Sequence, residues 1–550
     1  MEITSSWVKP PRQIGGLDHL GVQAPGINIY GRLLPGITNV TDRARYYSFY
    51  PWLIWSFDRH GFRKYDDEFK ERLRRADCLF TLIALRHAHV TGTDYEDHAE
   101  AMVGSNTLAR VVRELKLNET LTLSDYSLRE GAKTRYFKNP LGGLGQYYLG
   151  VLRELKMLDG DTSGVLKYTT QIGKVIAEYM NMGFDGDLFL NLVESDKISS
   201  QQLDDLSSAC PCQLRNNRRE AEFLVDLFFA RDLFYDPEAL SRRHSLQSIL
   251  HLSSLLAEDG DEISEFNFRA CAYSDSLPNN QDWPILDSLA QIRAKWAVYA
   301  RHELLSVATQ GLFYALLDGY EASVERFHDS VQLVEWFSAL HETQDALDAI
   351  GTNTRFSSII EIAGNELPPL TNWSDPNHEI QHAERLVRLC RSEKSAENRR
   401  EVVVAALRVL IALAQRFSAE DRAYGDLVFE DGYFSYYPLN LQSFQYHVVN
   451  TWSSLTARQV LNWLLQYWCI ENHMRVALRK LRTQSQSTFR IRPADRGFEV
   501  TEIPPAVHTR PRFNQAVRIL KDLGILERED SGLWVPSSLG ISLLELGDAF

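Results

Sequence analysis

The chain predicts a mainly α, multi-domain helical protein, and three observations carry that prediction. Apolar residues recur at helical intervals over long stretches, as between Ile285 and Leu317, where Leu289, Ile292, Trp296 and Tyr299 form one stripe. Strand-like alternation is confined to short runs, the clearest at 489–500. The length, 550 residues at 44% hydrophobic content, suits three or four packed domains. The expected division is an N-terminal arm and aromatic-rich helical domain (1–98), a helix-and-hairpin module (99–182), a helical middle (183–440), and a basic helical segment with a second such module (441–550).

Taken in order, residues 1–35 form an irregular arm broken at Pro10-Pro11, Gly15-Gly16 and Pro25-Gly26. Tyr46 to Phe57 follows, with seven aromatic residues in twelve, preceded by Arg43 and Arg45. Such a run is the core of a domain with the arginines capping it; the alternative is a stacking surface for bases or a ligand. Asp66 to His89 has a helical pattern in which Phe69, Leu73, Leu79, Leu82 and Leu85 face inward and Arg72, Arg74 and Arg75 face solvent. His87 and His89 fall on opposite sides of that helix and make a poor metal pair. In the middle, Val402 to Phe417 is apolar almost all round and so buried, and breaks fall at Ser276 to Pro284 and Leu367 to Asn377.

The C-terminal stretch from Thr509 to Leu546 carries Val517, Leu520, Leu523 and Leu526 at three-residue intervals, a charged turn at Glu527 to Asp530, a strand at Leu533-Trp534-Val535, and a last apolar helix from Ser538. This order resembles the winged helix-turn-helix module, which implies contact with DNA through its middle helix or the holding of a protein partner. A second copy is expected near 140–180. There Val151 to Leu158 lies over Ile519 to Leu526, Ser163-Gly164 over Ser531-Gly532, and Thr170 to Gly173 over Ser537 to Gly540 with one residue removed, while Asn139 to Gly143 leads in as cap and turn. Such modules at both ends of a helical middle resemble the kleisin subunits of chromosome-maintenance complexes, which implies a protein partner, an ATPase among the candidates. A large helical chain without catalytic motifs also suits an accessory subunit in bacterial antiviral defence or DNA processing, a matter of context rather than of residues.

The net charge of −14 excludes a surface that is basic everywhere, so any contact with nucleic acid requires a local patch. One window supplies it. From Arg475 to Lys521 eleven basic residues face three acidic ones, Asp495, Glu499 and Glu502. The residues expected to meet DNA or RNA are Arg479, Lys480, Arg482, Arg490, Arg492, Arg510, Arg512, Arg518 and Lys521, with Arg490 and Arg492 on the solvent face of the 489–500 hairpin.

The sharpest catalytic pattern is His378-Glu-Ile-Gln-His382, with Glu401 nineteen residues beyond. On a helix the two histidines stand one turn apart and can share a zinc ion, with Glu401 as third ligand and Glu379 as general base. The spacing is similar to that of the gluzincin aminopeptidases, which implies a zinc-dependent hydrolase. The surroundings differ, because Ser374-Asp-Pro-Asn377 puts His378 in the first turn and charged Glu384 and Arg385 follow. No Walker, dinucleotide or serine-hydrolase motif is present, and Glu114-Leu-Lys116 and Glu154-Leu-Lys156 echo a nuclease pattern but fall in helical leucine runs. Of six cysteines only Cys210 and Cys212 are close, which is neither a zinc-ribbon spacing nor a secreted disulfide framework. Reduced thiols, no apolar run of membrane length and no leader pattern at the start point to the cytoplasm. The sequence therefore leads to a non-enzymatic, nucleic-acid-contacting scaffold needing no cofactor, with the zinc hydrolase and a pure protein-interaction scaffold as alternatives.

Overall fold

The computed structural model describes residues 18–62, 66–93, 95–116, 119–127, 137–160, 165–234, 236–419, 432, 434, 437–484 and 487–547. It is mainly helical, with four two-stranded antiparallel sheets among the described residues, three of consecutive strands and one pairing Thr120–Thr122 with Lys197–Ser199. No described helix is long and apolar enough to cross a membrane. Packing groups the chain into two compact units, where four consecutive segments are expected from the sequence. The central unit comprises Met1–Tyr30, Phe266–Pro284 and Ala290–Thr509; the flanking unit comprises Gly31–Glu265, Ile285–Leu289 and Arg510–Phe550. Each is therefore assembled from stretches far apart in sequence.

The flanking unit is built on the helix Tyr46–Arg59, whose residues from Tyr46 to Phe57 are all buried. A helix apolar on every side has no solvent face to offer, so its neighbours must enclose it. They are Asp67–Thr91, Gly173–Asn181 and the π-helical turn Leu144–Tyr148. Phe49 stacks on Phe80 with ring centroids 4.1 Å apart, and Tyr46, Tyr50 and Tyr148 pack together. The rings are internal contacts, so the alternative of a base-stacking surface is overturned by their enclosure. Inside this cluster Asp77 accepts from Tyr50 Oη at 2.7 Å and from the Gly143 amide at 2.8 Å, and burial pushes its carboxyl up to about 7.

The central unit is organised by Ala290–Ala322, a helix of 33 residues buried almost continuously from Trp296 to Tyr320. Ala396–Ala419, Glu379–Leu389 and the π-helical Leu464–Glu471 pack around it. At Gly311 the helix comes close to Glu379–Leu389: a Cβ there would lie 2.8 Å from the Leu386 methyls.

Two helix–hairpin–helix segments belong to the flanking unit, at the places expected. One runs through Leu149–Glu154, the strands Leu158–Gly160 and Leu166–Tyr168, and Gly173–Asn181; the other through Phe513–Asp522, Leu526–Arg528, Trp534–Pro536 and Ser538–Leu544. The turn residues Ser163-Gly164 lie outside the described residues. The two share fine detail. Thr169 N donates to Met157 O at 3.0 Å as Ser537 N donates to Ile525 O at 2.9 Å, and each hydroxyl accepts from the glycine opening the last helix, Gly173 or Gly540. Thr169 rather than Thr170 is thus the counterpart of Ser537, and the extra residue falls between hydroxyl and glycine. The glycines are required by space: a Cβ on Gly173 would meet Met157 O at 2.0 Å, and one on Gly540 would meet Ile525 O at 2.4 Å.

Further hydrogen bonds complete the flanking unit. Gln247 Nε2, on the helix Pro237–Glu258, donates to Leu543 O at 2.8 Å and Leu546 O at 3.1 Å.

Candidate metal centre

The helix Asp67–Thr91 begins with Asp66 accepting from the Phe69 amide and ends at Gly92, whose φ of 62° is the left-handed conformation that glycine adopts without a Cβ clash. His87 stands one turn before its end. After the reversal the short helix Tyr95–His98 brings His98 back beside it, with ring centroids 4.8 Å apart. Cys210 links two 3-10 turns, Ser207–Ala209 and Pro211–Asn216, with the extended backbone favoured before proline, and Cys212 lies in the first turn of the second.

One ligand-capable atom from each of His87, His98, Cys210 and Cys212 lies within 4.8 Å of the other three. Cys210 Sγ is 3.4 Å from His98 Nδ1, and Cys212 Sγ is 3.3 Å from His87 Nδ1. In a tetrahedral zinc site with bonds of ~2.3 Å to sulfur and ~2.0 Å to nitrogen, the sulfur–nitrogen edge is about 3.5 Å. Those two edges already have zinc dimensions, and the longest separation would contract by roughly 1 Å around an ion of that size. The remaining ring nitrogen of His98 lies 2.7 Å from Thr93 Oγ1, itself 2.7 Å from Thr91 Oγ1, and Gln213 Nε2 donates to Cys212 Sγ at 3.3 Å. Outer partners of this kind orient metal ligands. Hydrogen bonding from the Cys210 thiol, then from Gln213, with the two imidazoles nearby, pulls the Cys212 thiol down to about 5, while burial pushes the Cys210 thiol up and holds the His98 imidazole below its ordinary value.

Two buried arginines fasten the loops that carry these ligands. Arg43 donates to the carbonyls of Glu96, Asp97 and Glu100 at 2.7–3.2 Å and pairs with Asp522 at 2.9 Å. Arg45 donates to the carbonyls of Ser208 and Cys210 at 2.7 and 2.6 Å and pairs with Glu220. The residues expected to cap the aromatic core thus also clamp the loops of His98 and Cys210. A cleft of about 500 Å³ opens beside the quartet, with Lys521 and Trp534 on its wall.

The basic window divides between the units, because the boundary falls at 509/510. In the flanking unit Arg512 donates to the Gly31 and Leu34 carbonyls, Arg518 pairs with Asp42 and Glu100, and Lys521 pairs with Glu96 and stands over the Trp534 ring; Arg510 is exposed. In the central unit Arg490 is 1% exposed and pairs with Glu502, which corrects its expected place on a solvent face: its amide donates to His473 Nε2 and its carbonyl accepts from Thr501. Arg492 is exposed and paired across the hairpin with Glu499, Lys480 donates to the Asp18 carbonyl, and Arg479 and Arg482 are exposed on the helix Asn472–Gln484.

The His378-to-His382 pattern opens the helix Glu379–Leu389, with His378 at its cap as the sequence suggests. His378 Nδ1 accepts from the Ile380 amide and Nε2 lies 3.2 Å from Leu370 O. Glu379 is buried, accepts from Tyr273 Oη at 2.6 Å and pairs with Arg416 at 2.9 Å; Glu401 pairs with Arg385 and Arg400. These side chains have other partners, and among the described residues only the His87, His98, Cys210 and Cys212 group meets metal-ligand spacing.

Comparison of the chain with protein-family models, with curated proteins and with solved structures finds no match.

Proposed function

We propose that this protein is a non-enzymatic scaffold whose flanking unit is held together by a structural zinc ion on His87, His98, Cys210 and Cys212. The observation that carries the reading is the donor set itself: two thiols and two imidazoles make a complete tetrahedron, which leaves no vertex for an activated water. Zinc there would tie the end of one helix to two loops, adding stability rather than chemistry. The C-terminal helix–hairpin–helix then serves to hold a protein partner, since Arg512, Arg518 and Lys521 are already engaged inside the unit. Elemental analysis of the purified chain tests the reading. One equivalent of zinc, lost in Cys212→Ser and His98→Ala and retained in His382→Ala, is the expected result, together with a lowered melting temperature after chelation. Retention in Cys212→Ser with loss in His382→Ala would transfer the metal to the hydrolase reading.

Contact with DNA or RNA is a second reading, supported by one feature of the central unit. Arg475, Arg479 and Arg482, spaced i, i+4 and i+7 on Asn472–Gln484, are all exposed. A salt-titrated binding assay tests it: log Kd against log salt should lose about one unit of slope for each phosphate contact removed by charge reversal. A slope unchanged in Arg475→Glu/Arg482→Glu excludes this helix.

A further inference from the structure

A second feature, in the central unit, is independent of the metal centre. An open pocket of about 470 Å³ lies between the helices Phe356–Glu366, Glu379–Leu389 and Ala396–Ala419 and the turn after His341–Asp348. Its walls are largely apolar, including Ile350, Ile359, Ile362, Leu367 and Ile411. The polar side chains among them are Thr354, Asn377, the exposed Glu366, and a cation and an imidazole, Arg408 and His382. Arg408 projects from a helix otherwise buried along this stretch, and it has no hydrogen-bond or carboxylate partner among the described residues. His382, 5% exposed, lines the same pocket, and its ring has no hydrogen-bond partner among the described residues. Burial, and then the neighbouring Arg408, bring the His382 imidazole down to about 4, so it is neutral near pH 7 and can donate or accept one hydrogen bond.

The surroundings explain why this pair is unusual. Other arginines of the central unit meet acids: Arg399 pairs with Asp318 and Glu342, Arg416 with Glu379, and Arg385 with Glu401. A part-buried guanidinium with no paired carboxylate among the described residues is open to an anion, and a ligand carboxylate would meet it with two parallel hydrogen bonds. One permanent cation and one neutral imidazole match at most a single negative charge, and the Glu366 carboxylate on the same lining would repel a phosphate dianion. Apolar walls in turn match a hydrocarbon body, and the volume is that of a small-molecule site.

We propose that the pocket beside Arg408 and His382 binds a monocarboxylate with an apolar body, its carboxylate on Arg408 and His382 and its chain against Ile359, Ile362 and Ile411. Isothermal titration of the full-length chain with octanoate, with 1-octanol and with inorganic phosphate tests this. Octanoate should bind about tenfold or more tightly than octanol, because only the acid forms the charge-assisted pair. Arg408→Gln should bring the two affinities together, and Ala363→Trp, which fills the pocket from its wall, should abolish binding of both, with circular dichroism showing both variants folded. Equal affinity for acid and alcohol, octanoate binding unchanged in Arg408→Gln, tighter binding of phosphate, or no binding of octanoate would each overturn the proposal.

Discussion

His87 and Cys212 stand 125 residues apart in the chain and 3.3 Å apart in the fold. No spacing rule reaches that far, which is why the His/Cys cluster was not legible: the sequence offers His87 with His89, on opposite sides of a helix, whereas the spatial neighbour, His98, arrives only after a left-handed turn at Gly92. The Cys210-Pro-Cys212 pair was visible, but its histidines were not. The His378-to-His382 pattern shows the converse, since in a literal motif His378 and Glu379 have other partners and His382 faces a pocket instead. Asp77 supplies a prediction at this scale. Its folded value of about 7 lies above the ordinary carboxyl value of 3.8, so the folded chain holds a proton that the unfolded chain releases. Stability from this group is present below about pH 4 and is lost as pH rises towards 7. In urea titrations the advantage of wild type over Asp77→Asn should therefore shrink between about pH 4 and pH 7; a constant difference would show that folded and unfolded chains hold this proton equally.

The order of helix, hairpin and helix was legible, because helical leucine spacing and turn residues are local signals, but Leu526, read on the helix, and Glu527 and Arg528, read in the turn, form the first strand. What the sequence could not place was the extra residue, since only the hydrogen bonds show that Thr169 takes the role of Ser537. The 489–500 hairpin was also legible, but not its orientation: alternation says that Arg490 and Arg492 share a face, and the acid at Glu502 and the ring of His473 draw Arg490 inward before the strand begins. At this scale Gly540→Ala should destabilise the flanking unit by about 1–3 kcal/mol, as overpacking against a backbone carbonyl does. Ser537→Ala, which removes the hydroxyl cap, should cost about 1 kcal/mol. Denaturant midpoints of both variants check the order; an unchanged midpoint in Gly540→Ala would mean that the turn relaxes freely.

At the scale of the molecule the helical class was legible and the boundaries were not. Sequence reading divides a chain into consecutive pieces, whereas each unit here is made of stretches brought together over hundreds of residues. The flanking unit needs residues 510–547 to cover the helix Pro237–Glu258, through Gln247 and the Arg243 bond to Gly547 O. A chain ending at Thr509 should accordingly lose the zinc expected on His98 and Cys212 and bind a hydrophobic dye, while the intact protein does neither. Zinc retained by the truncated chain would show that the quartet stands without its C-terminal support. The ion pair of Arg43 with Asp522 adds a dimension of time. Its two members are 479 residues apart, and at ~5–20 residues per second a ribosome takes roughly 25–100 s to pass from one to the other. Throughout that interval the arginine that clamps the His98 loop has no carboxylate to meet, so the first part of the chain to be synthesised is among the last to be finished.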